Sequence, residues 1–351
     1  MTMKVAIIGC GSIALRKHIP AFMHNPRAEI KYFCSAYPGA AAAAAQQFGC
    51  GTAVTDYRVV LEDPEIDAVS VCTANQKHSE ITIAALRAGK HVLCEKPAAR
   101  TYREVLAMQK AQHETGRLLC IGVVNRFNAN VNRVKTLIGE GELGELYQVY
   151  ISFRARRSIP GLGGTFTTKA VSGGGVLIDW GVHYLDLVMY CCGNPVVRSV
   201  SAAAFAKLGN PIPQYTYEKM WAGPPVLDGI CDVEEGVTGM IRTEGPVITF
   251  NGAWAQNIAP DEKYIDFLGT KGGVRLQYGK EFTLFSAEGG RLTETVVPAS
   301  EASMFQREID DFIHAVEYGQ TPVNHIDAHI ATVQLMDAIY RSAEENREIV
   351  L

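Results

Sequence analysis

Through residues 1–124, short apolar runs alternate with stretches that carry apolar side chains at helical spacing. Lys4–Ile8, Ile30–Cys34, Ala68–Cys72, His91–Cys94 and Leu118–Val124 predict buried strands. Between them, Ile13–Asn25, Ala40–Phe48, Ser79–Ala88 and Thr101–Thr115 predict helices, and Tyr57–Leu61 a short one before the turn Asp63-Pro64. The second of these is rich in alanine, the strongest helix former. Strands alternating with helices predict a doubly wound parallel sheet with right-handed crossovers. After Asn125 the pattern changes. Val131–Gly139 and Asp179–Cys191 read as helices, and Tyr147–Arg156 as a half-solvated strand. Val237–Arg242, Val247–Ala255, Tyr264–Gly269, Val274–Tyr278 and Phe282–Ser286 read as consecutive antiparallel strands, closed by helices over Phe305–Glu317 and Ala328–Glu345. The expected organisation is an α/β chain: a doubly wound parallel domain over 1–124, then an α+β domain over 125–351 built on an antiparallel meander.

Composition changes this picture little. The 351 residues exceed the ~250–300 at which single cores stop growing, which agrees with two domains. With 47% hydrophobic and 20% charged residues the chain is an ordinary globular one, and its net charge of -4 offers no basic footprint for nucleic acid. Nothing approaches the ~18 unbroken apolar residues of a membrane span. Gly9 and Gly11 break the first apolar run, so the N-terminus reads as a strand and not as a signal peptide. Nine cysteines, an odd number without a CxxC pair, read as reduced thiols of a cytoplasmic protein, and no ligand cluster suggests a metal.

Gly9-Cys10-Gly11-Ser12-Ile13-Ala14 fits G-x-G-x-x-G/A between a strand and a helix. Gly9 permits the tight turn, Gly11 lets the backbone approach a pyrophosphate, and Ala14 lets the helix pack close to the sheet. Gly9, Gly11, Ser12 and Ile13 are therefore candidate cofactor-binding residues. The acid that would hold the adenosine ribose at the end of the second strand is missing, and Ser35 stands there. No arginine follows to bind a 2′-phosphate, so NAD and NADP both remain open.

Val92-Leu93-Cys94-Glu95-Lys96-Pro97 resembles the E-K-P motif of the glucose–fructose oxidoreductase / inositol dehydrogenase / rhizopine-catabolism (Gfo/Idh/MocA) family. Further family-like features follow in order: Thr73-Ala74-Asn75 with His78, Asn125-Arg126-Phe127, and Gly173-Gly174-Gly175 leading into Asp179-Trp180-Gly181-Val182-His183. Trp254 and Gly269-Thr270-Lys271-Gly272-Gly273 come later, and Ala338–Ala343 near the end. The resemblance spans nearly the whole chain and implies an N-terminal Rossmann domain followed by a C-terminal domain with a large, open, mainly antiparallel sheet. It implies NAD or NADP held by Thr73, Asn75, His78, Glu95, Lys96, Pro97 and Asn125 as well as the glycine turn. It implies a sugar or cyclitol substrate, a cis bond before Pro97, and Lys96, Asp179 and His183 at the reacting carbon.

That chemistry is also readable from the residues. Oxidising a secondary alcohol requires removal of the hydroxyl proton as hydride leaves the carbon. Histidine titrates near neutrality and suits the base, His183. Lys96 can stabilise the oxygen's developing charge, and Asp179, four residues before His183, can orient it or bind a neighbouring hydroxyl. The alternative gives the base role to Lys96. Structural readings compete: Asp179 as a helix cap, His183 as a core residue, Lys96 as a solvated loop lysine. The glycine triplet suits a backbone that passes close to cofactor or substrate. Arg126, Lys169, Trp180 and Trp254 are candidate substrate contacts, although buried core tryptophans are as common as exposed ones. Arg154, Arg156 and Arg157 read as a solvated strand edge that could also grip an anionic group. His18, His24, His113, His314 and His329 read as surface or helix-face residues.

The leading function is an NAD(P)-dependent sugar or polyol dehydrogenase or reductase. The alternatives are a glycoside-processing enzyme using transient oxidation and a non-catalytic sugar or nucleotide sensor. The proline- and aromatic-rich segment 207–228 reads as an ordered arm that covers the site or reaches a neighbouring subunit. An open sheet leaves a face needing cover, which predicts a homodimer or homotetramer.

Overall fold

The computed structural model describes residues 2–259 and 261–351. The chain forms two compact units, one of Met1–Phe127 with Ser303–Ile330, the other of Asn128–Ala302 with Ala331–Leu351. The sequence assigned residues 125–351 to the second domain, whereas 125–127 and 303–330 belong with the first unit. Ile309, Phe312 and Ile313, on the helix Met304–Tyr318, are buried in the same core as Ile19, Phe22 and Phe33. A helix read in isolation shows an apolar stripe but not which sheet it will cover.

The first unit is built on six strands: β1 (Met3–Ile8), β2 (Ala28–Cys34), β3 (Thr52–Val54), β4 (Ala68–Val71), β5 (His91–Glu95) and β6 (Leu119–Gly122). All pair parallel in the order β3-β2-β1-β4-β5-β6, the doubly wound arrangement expected. Chain order reverses between β1 and β4, and ligands bind outside the carboxyl ends of strands at such a point. Ile8 there lies beside Cys34 on one side and Val71 on the other. Thr101 caps the helix Tyr102–Thr115 by accepting the Glu104 N–H at 3.2 Å, and Val105, Met108 and Ala111 form its buried face.

The second unit carries nine strands: β7 (Leu146–Arg154), β8 (Val197–Phe205), β9 (Gly236–Thr243), β10 (Val247–Ala253), β11 (Glu262–Gly269), β12 (Gly272–Gln277), β13 (Phe282–Glu288), β14 (Arg291–Val297) and β15 (Ile349–Val350). Their order is β14-β13-β12-β11-β7-β10-β9-β8-β15. The sheet is mainly antiparallel as expected, but it is not a simple meander. β7 lies between β10 and β11 and pairs parallel with β10, so the hairpin partners along the sequence are split around it. The helix Val182–Cys191 is buried on nearly every side and anchors the core with Phe153, Phe250 and Phe267. No helix among the described residues is long and apolar enough to cross a membrane.

Candidate functional site

In the first unit the nucleotide-binding candidates converge on the carboxyl edge of the sheet. Gly9 follows β1 with φ 103°, and a Cβ there would lie 2.5 Å from the Cys72 carbonyl. Only glycine turns the chain at this spot. A Cβ on Gly11 would meet nothing within 4 Å, so the backbone above the helix start is open to a ligand. Gly11 and Ser12 are exposed and Ile13 half-buried. A tight glycine turn, an open approach and a helix N-terminus are what a dinucleotide pyrophosphate requires, so the residues present fit it. Ser35, directly after β2, is buried, and its hydroxyl accepts the Tyr37 N–H at 3.2 Å.

The E-K-P turn sits at the same edge, at the end of β5. The bond before Pro97 is cis, as the resemblance implied. One Glu95 carboxylate oxygen accepts the Lys96 N–H at 3.0 Å. His78 ties this turn to the end of β4: Nδ1 lies 2.7 Å from the Pro97 carbonyl and Nε2 3.0 Å from that of Thr73. Two acceptors face one imidazole, so the ring clamps two loops together. Lys96, Thr73 and Asn75 are half-buried and Asn125 is buried.

Beneath the turn lies a polar cluster that sequence reasoning missed. His18, read from sequence as a surface or helix-face residue, is wholly buried, 2.8 Å from Glu95 and 2.9 Å from Ser70. His329 is also fully buried. A second enclosed carboxyl, Glu308, accepts from Asn324 at 3.3 Å. Burial first, then the charge of Glu95, pushes Glu308 up to about 8. A carboxyl with a raised folded value holds a proton that the unfolded chain has already lost. Its contribution to stability is therefore complete below its ordinary value of 4.5 and is lost as pH rises toward about 8. Glu308→Gln stays neutral throughout, so its urea stability should fall less over that interval than that of the parent chain. Equal slopes would refute this.

In the second unit the glycine triplet leads into the other site segment. Gly173 has φ 90° and ends the helix Lys169–Ser172. A Cβ on Gly174 would strike the Tyr340 hydroxyl, and one on Gly175 would overlap the Glu234 carbonyl oxygen. The close approach that the sequence assigned to cofactor or substrate is thus to the unit's own Tyr340 and Glu234. Glu234 accepts the N–H groups of Gly175 at 3.0 Å and Leu177 at 3.1 Å, and the Tyr340 hydroxyl at 2.9 Å. Burial pushes its carboxyl up, against the pull of those donors. Nothing local signals Glu234, whose partners are 57, 59 and 106 residues away.

From this anchor runs a π-turn, Leu177–Gly181, continuous with the helix Val182–Cys191. Asp179 lies in the π-turn, 8% exposed, and His183 is half-buried in the following turn with its ring 6.3 Å from that of Tyr278. A second π-turn, Ala14–His18, follows the nucleotide turn. Such turns change which way a side chain faces without ending the helix, and they recur at functional sites.

The substrate-contact candidates are placed differently from one another. Trp180 is half-buried under the Lys263 ammonium, 4.5 Å from its ring centre. Lys169 is exposed, 3.4 Å from Glu344. Arg126 and Trp254 offer no surface. Arg126 is 2% exposed and its guanidinium donates to the Val323 and Ala328 carbonyls, and Trp254 is fully enclosed in the core. Arg156 and Arg157, with Thr216, Tyr217, Glu218 and Asn257, line a cavity of about 440 Å³. Arg157 has φ 53° and binds Asn257 through two guanidinium nitrogens. The arm 207–228 is held to its own unit: Lys207, Leu208 and Gly209 donate to Glu235, Glu218 to Arg157, and Val226 to Leu162.

Residues 3–123 match the oxidoreductase family with the NAD-binding Rossmann fold, and residues 131–275 match the GFO/IDH/MocA C-terminal domain. The D-glucoside 3-dehydrogenase of Escherichia coli strain K12 is 30% identical over 99% of this chain and 97% of its own. The inositol 2-dehydrogenase of Rhizobium meliloti is 26% identical over 99% of each chain. A levoglucosan dehydrogenase solved with NADH and levoglucosan has the same fold, with a TM-score of 0.86 and 24% identity over 100% of this chain and 99% of that one.

Proposed function

Because this chain belongs to the Gfo/Idh/MocA oxidoreductase family, we propose that it moves a hydride between a nicotinamide dinucleotide and a secondary hydroxyl or ketone carbon of a sugar or cyclitol. What carries the reading is the position of Lys96, on a turn clamped by Glu95 and His78 at the sheet edge that also presents the open Gly11 backbone. The relatives named above act on glucosides and inositol, ring compounds dense in secondary hydroxyls.

When bound, the nicotinamide ring supplies the hydride acceptor for oxidation. The chain's own residues handle the proton. Lys96 donates a hydrogen bond to the substrate oxygen and stabilises its growing negative charge. His183 takes the hydroxyl proton, and Asp179 orients His183 or holds a neighbouring hydroxyl. Incubating the chain with NAD or NADP and a panel of glycosides, aldoses and inositols, while following the absorbance of the reduced nucleotide, tests the function. No reduction with any member would overturn it.

Both NAD and NADP serve, because Ser35 neither repels a 2′-phosphate nor grips it strongly. Ser35→Asp should shift the ratio of the two affinities toward NAD, by adding a ribose acceptor and repelling the phosphate. An unchanged ratio would mean that Ser35 lies away from the ribose. Self-association into a dimer or tetramer covers the exposed face of the second unit's sheet, and strict monomer mass in light scattering at micromolar concentration would contradict it. Nine free cysteines fit the reducing cytoplasm, and fewer than nine labelled thiols in the denatured, unreduced chain would argue against that compartment.

A further inference from the structure

We propose that His18 is a positioning residue for the reaction, acting through Glu95 to hold the backbone of Lys96 in place. The inference rests on the proposed role of Lys96. Its basis is a continuous chain of hydrogen bonds inside the first unit. The π-turn Ala14–His18 brings the His18 ring into the interior, where no part of it reaches solvent. Nδ1 is 2.9 Å from the Ser70 hydroxyl on β4, and Nε2 is 2.8 Å from one oxygen of Glu95 at the end of β5. The other Glu95 oxygen accepts the Lys96 N–H at 3.0 Å. Ser70, His18, Glu95 and the Lys96 amide thus link the helix of the nucleotide turn to the lysine-bearing turn across two strands. Gly122 on β6 closes the remaining side, since a Cβ there would stand 3.1 Å from the Glu95 carboxylate.

The charges in this cluster balance. Glu95 is 6% exposed, and a buried carboxylate stays ionised only beside a cation or good donors. Burial opposes charge on His18, Cys72 and Glu95 favour it, and the balance lifts the imidazole well above its usual range. Burial likewise raises Glu95, while His18 and Lys96 pull it below the carboxylate range. Glu308, facing the pair from the helix Met304–Tyr318, is pushed up and keeps its proton. Asp311 on that helix is also raised by burial, and Cys94 beside Glu95 is a thiol held up to about 12. One imidazolium therefore meets one carboxylate. With the His18 bond gone, Glu95 becomes the weaker anchor for the amide of Lys96.

Two conservative variants separate positioning from bulk stability. Asparagine at 18 keeps a polar group near Ser70 but is too short to reach Glu95, whereas glutamine reaches Glu95 as a donor. His18→Asn should lower kcat by ~10- to 100-fold, the scale of a small misplacement of a reacting group, and His18→Gln should recover most of it. Peptide-level hydrogen exchange should show the Lys96 amide deprotected in His18→Asn and protected in His18→Gln. In a Lys96→Ala background, His18→Asn should cost little further activity, because both changes act through one group. An equal loss in both backgrounds, or unchanged exchange at Lys96, would overturn the proposal. Should Lys96→Ala itself leave activity intact, the proposed role of Lys96 fails instead, and hydrogen exchange at its amide still decides whether His18 holds that backbone.

Discussion

Replacing Lys96 with alanine should lower kcat by ~10²–10³-fold, the usual effect of removing one charged donor aimed at a developing oxyanion. Cofactor affinity, read by quenching of nucleotide fluorescence, should move far less, because the proposed pyrophosphate site is the Gly9–Ile13 turn. The companion change, His183→Ala, distinguishes the two assignments of the base. With His183 as base, the oxidation rate of the parent chain rises with pH as one group gives up its proton, and the variant loses that limb. A His183→Ala chain retaining both near-parental kcat and the same pH limb would hand the proton to Lys96. Equal kcat in the parent and Lys96→Ala would remove the lysine from the chemistry altogether.

The second large effect concerns a residue outside the proposed catalytic trio. Glu234→Ala strands the N–H groups of Gly175 and Leu177 and the Tyr340 hydroxyl inside the second unit. Each orphaned buried donor costs ~1–3 kcal/mol, and three sharing one acceptor should together cost about 3–5 kcal/mol in urea unfolding. Activity should fall as well, because the π-turn carrying Asp179 starts from this anchor. Glu234→Gln retains an oxygen acceptor and should lie between the two. A Glu234→Ala chain within ~1 kcal/mol of the parent would show that the glycine triplet is held by its own backbone, not by Glu234.

What the sequence made legible follows periodicity and local chemistry. The parallel sheet and the nucleotide turn are read from short periodic windows, and the cis bond before Pro97 from the family resemblance that the E-K-P motif carries. β8 escaped because Ser199, Ser201 and Ala202–Ala204 give no alternation of apolar and polar positions. The parallel pairing of β7 with β10 joins segments about a hundred residues apart, and no hairpin signal marks it. The proposed site divides the same way. Sequence motifs offer Lys96, Asp179 and His183 as candidates, while the buried His18 and Glu234 carry no such signal. A lone buried histidine and a lone buried glutamate look like surface residues until the folded chain supplies their partners. Arg126 and Trp254 erred in the opposite direction, since large polar-tipped side chains near a motif look like ligands but here serve the interior.

The return of residues 303–330 to the first unit has a consequence for how the protein is made. A ribosome that has finished β6 has released every strand of the nucleotide-binding sheet, yet the sheet lacks the helix bearing Ile309, Phe312 and Ile313. It also lacks Asn324, whose side chain and backbone pair with Ile121. The nascent first unit must therefore wait, with one apolar surface open, while residues 128–302, which carry β7 to β14, are synthesised. Its last pieces leave the ribosome only after that segment, so the nucleotide-binding unit is completed after most of the second unit has been made.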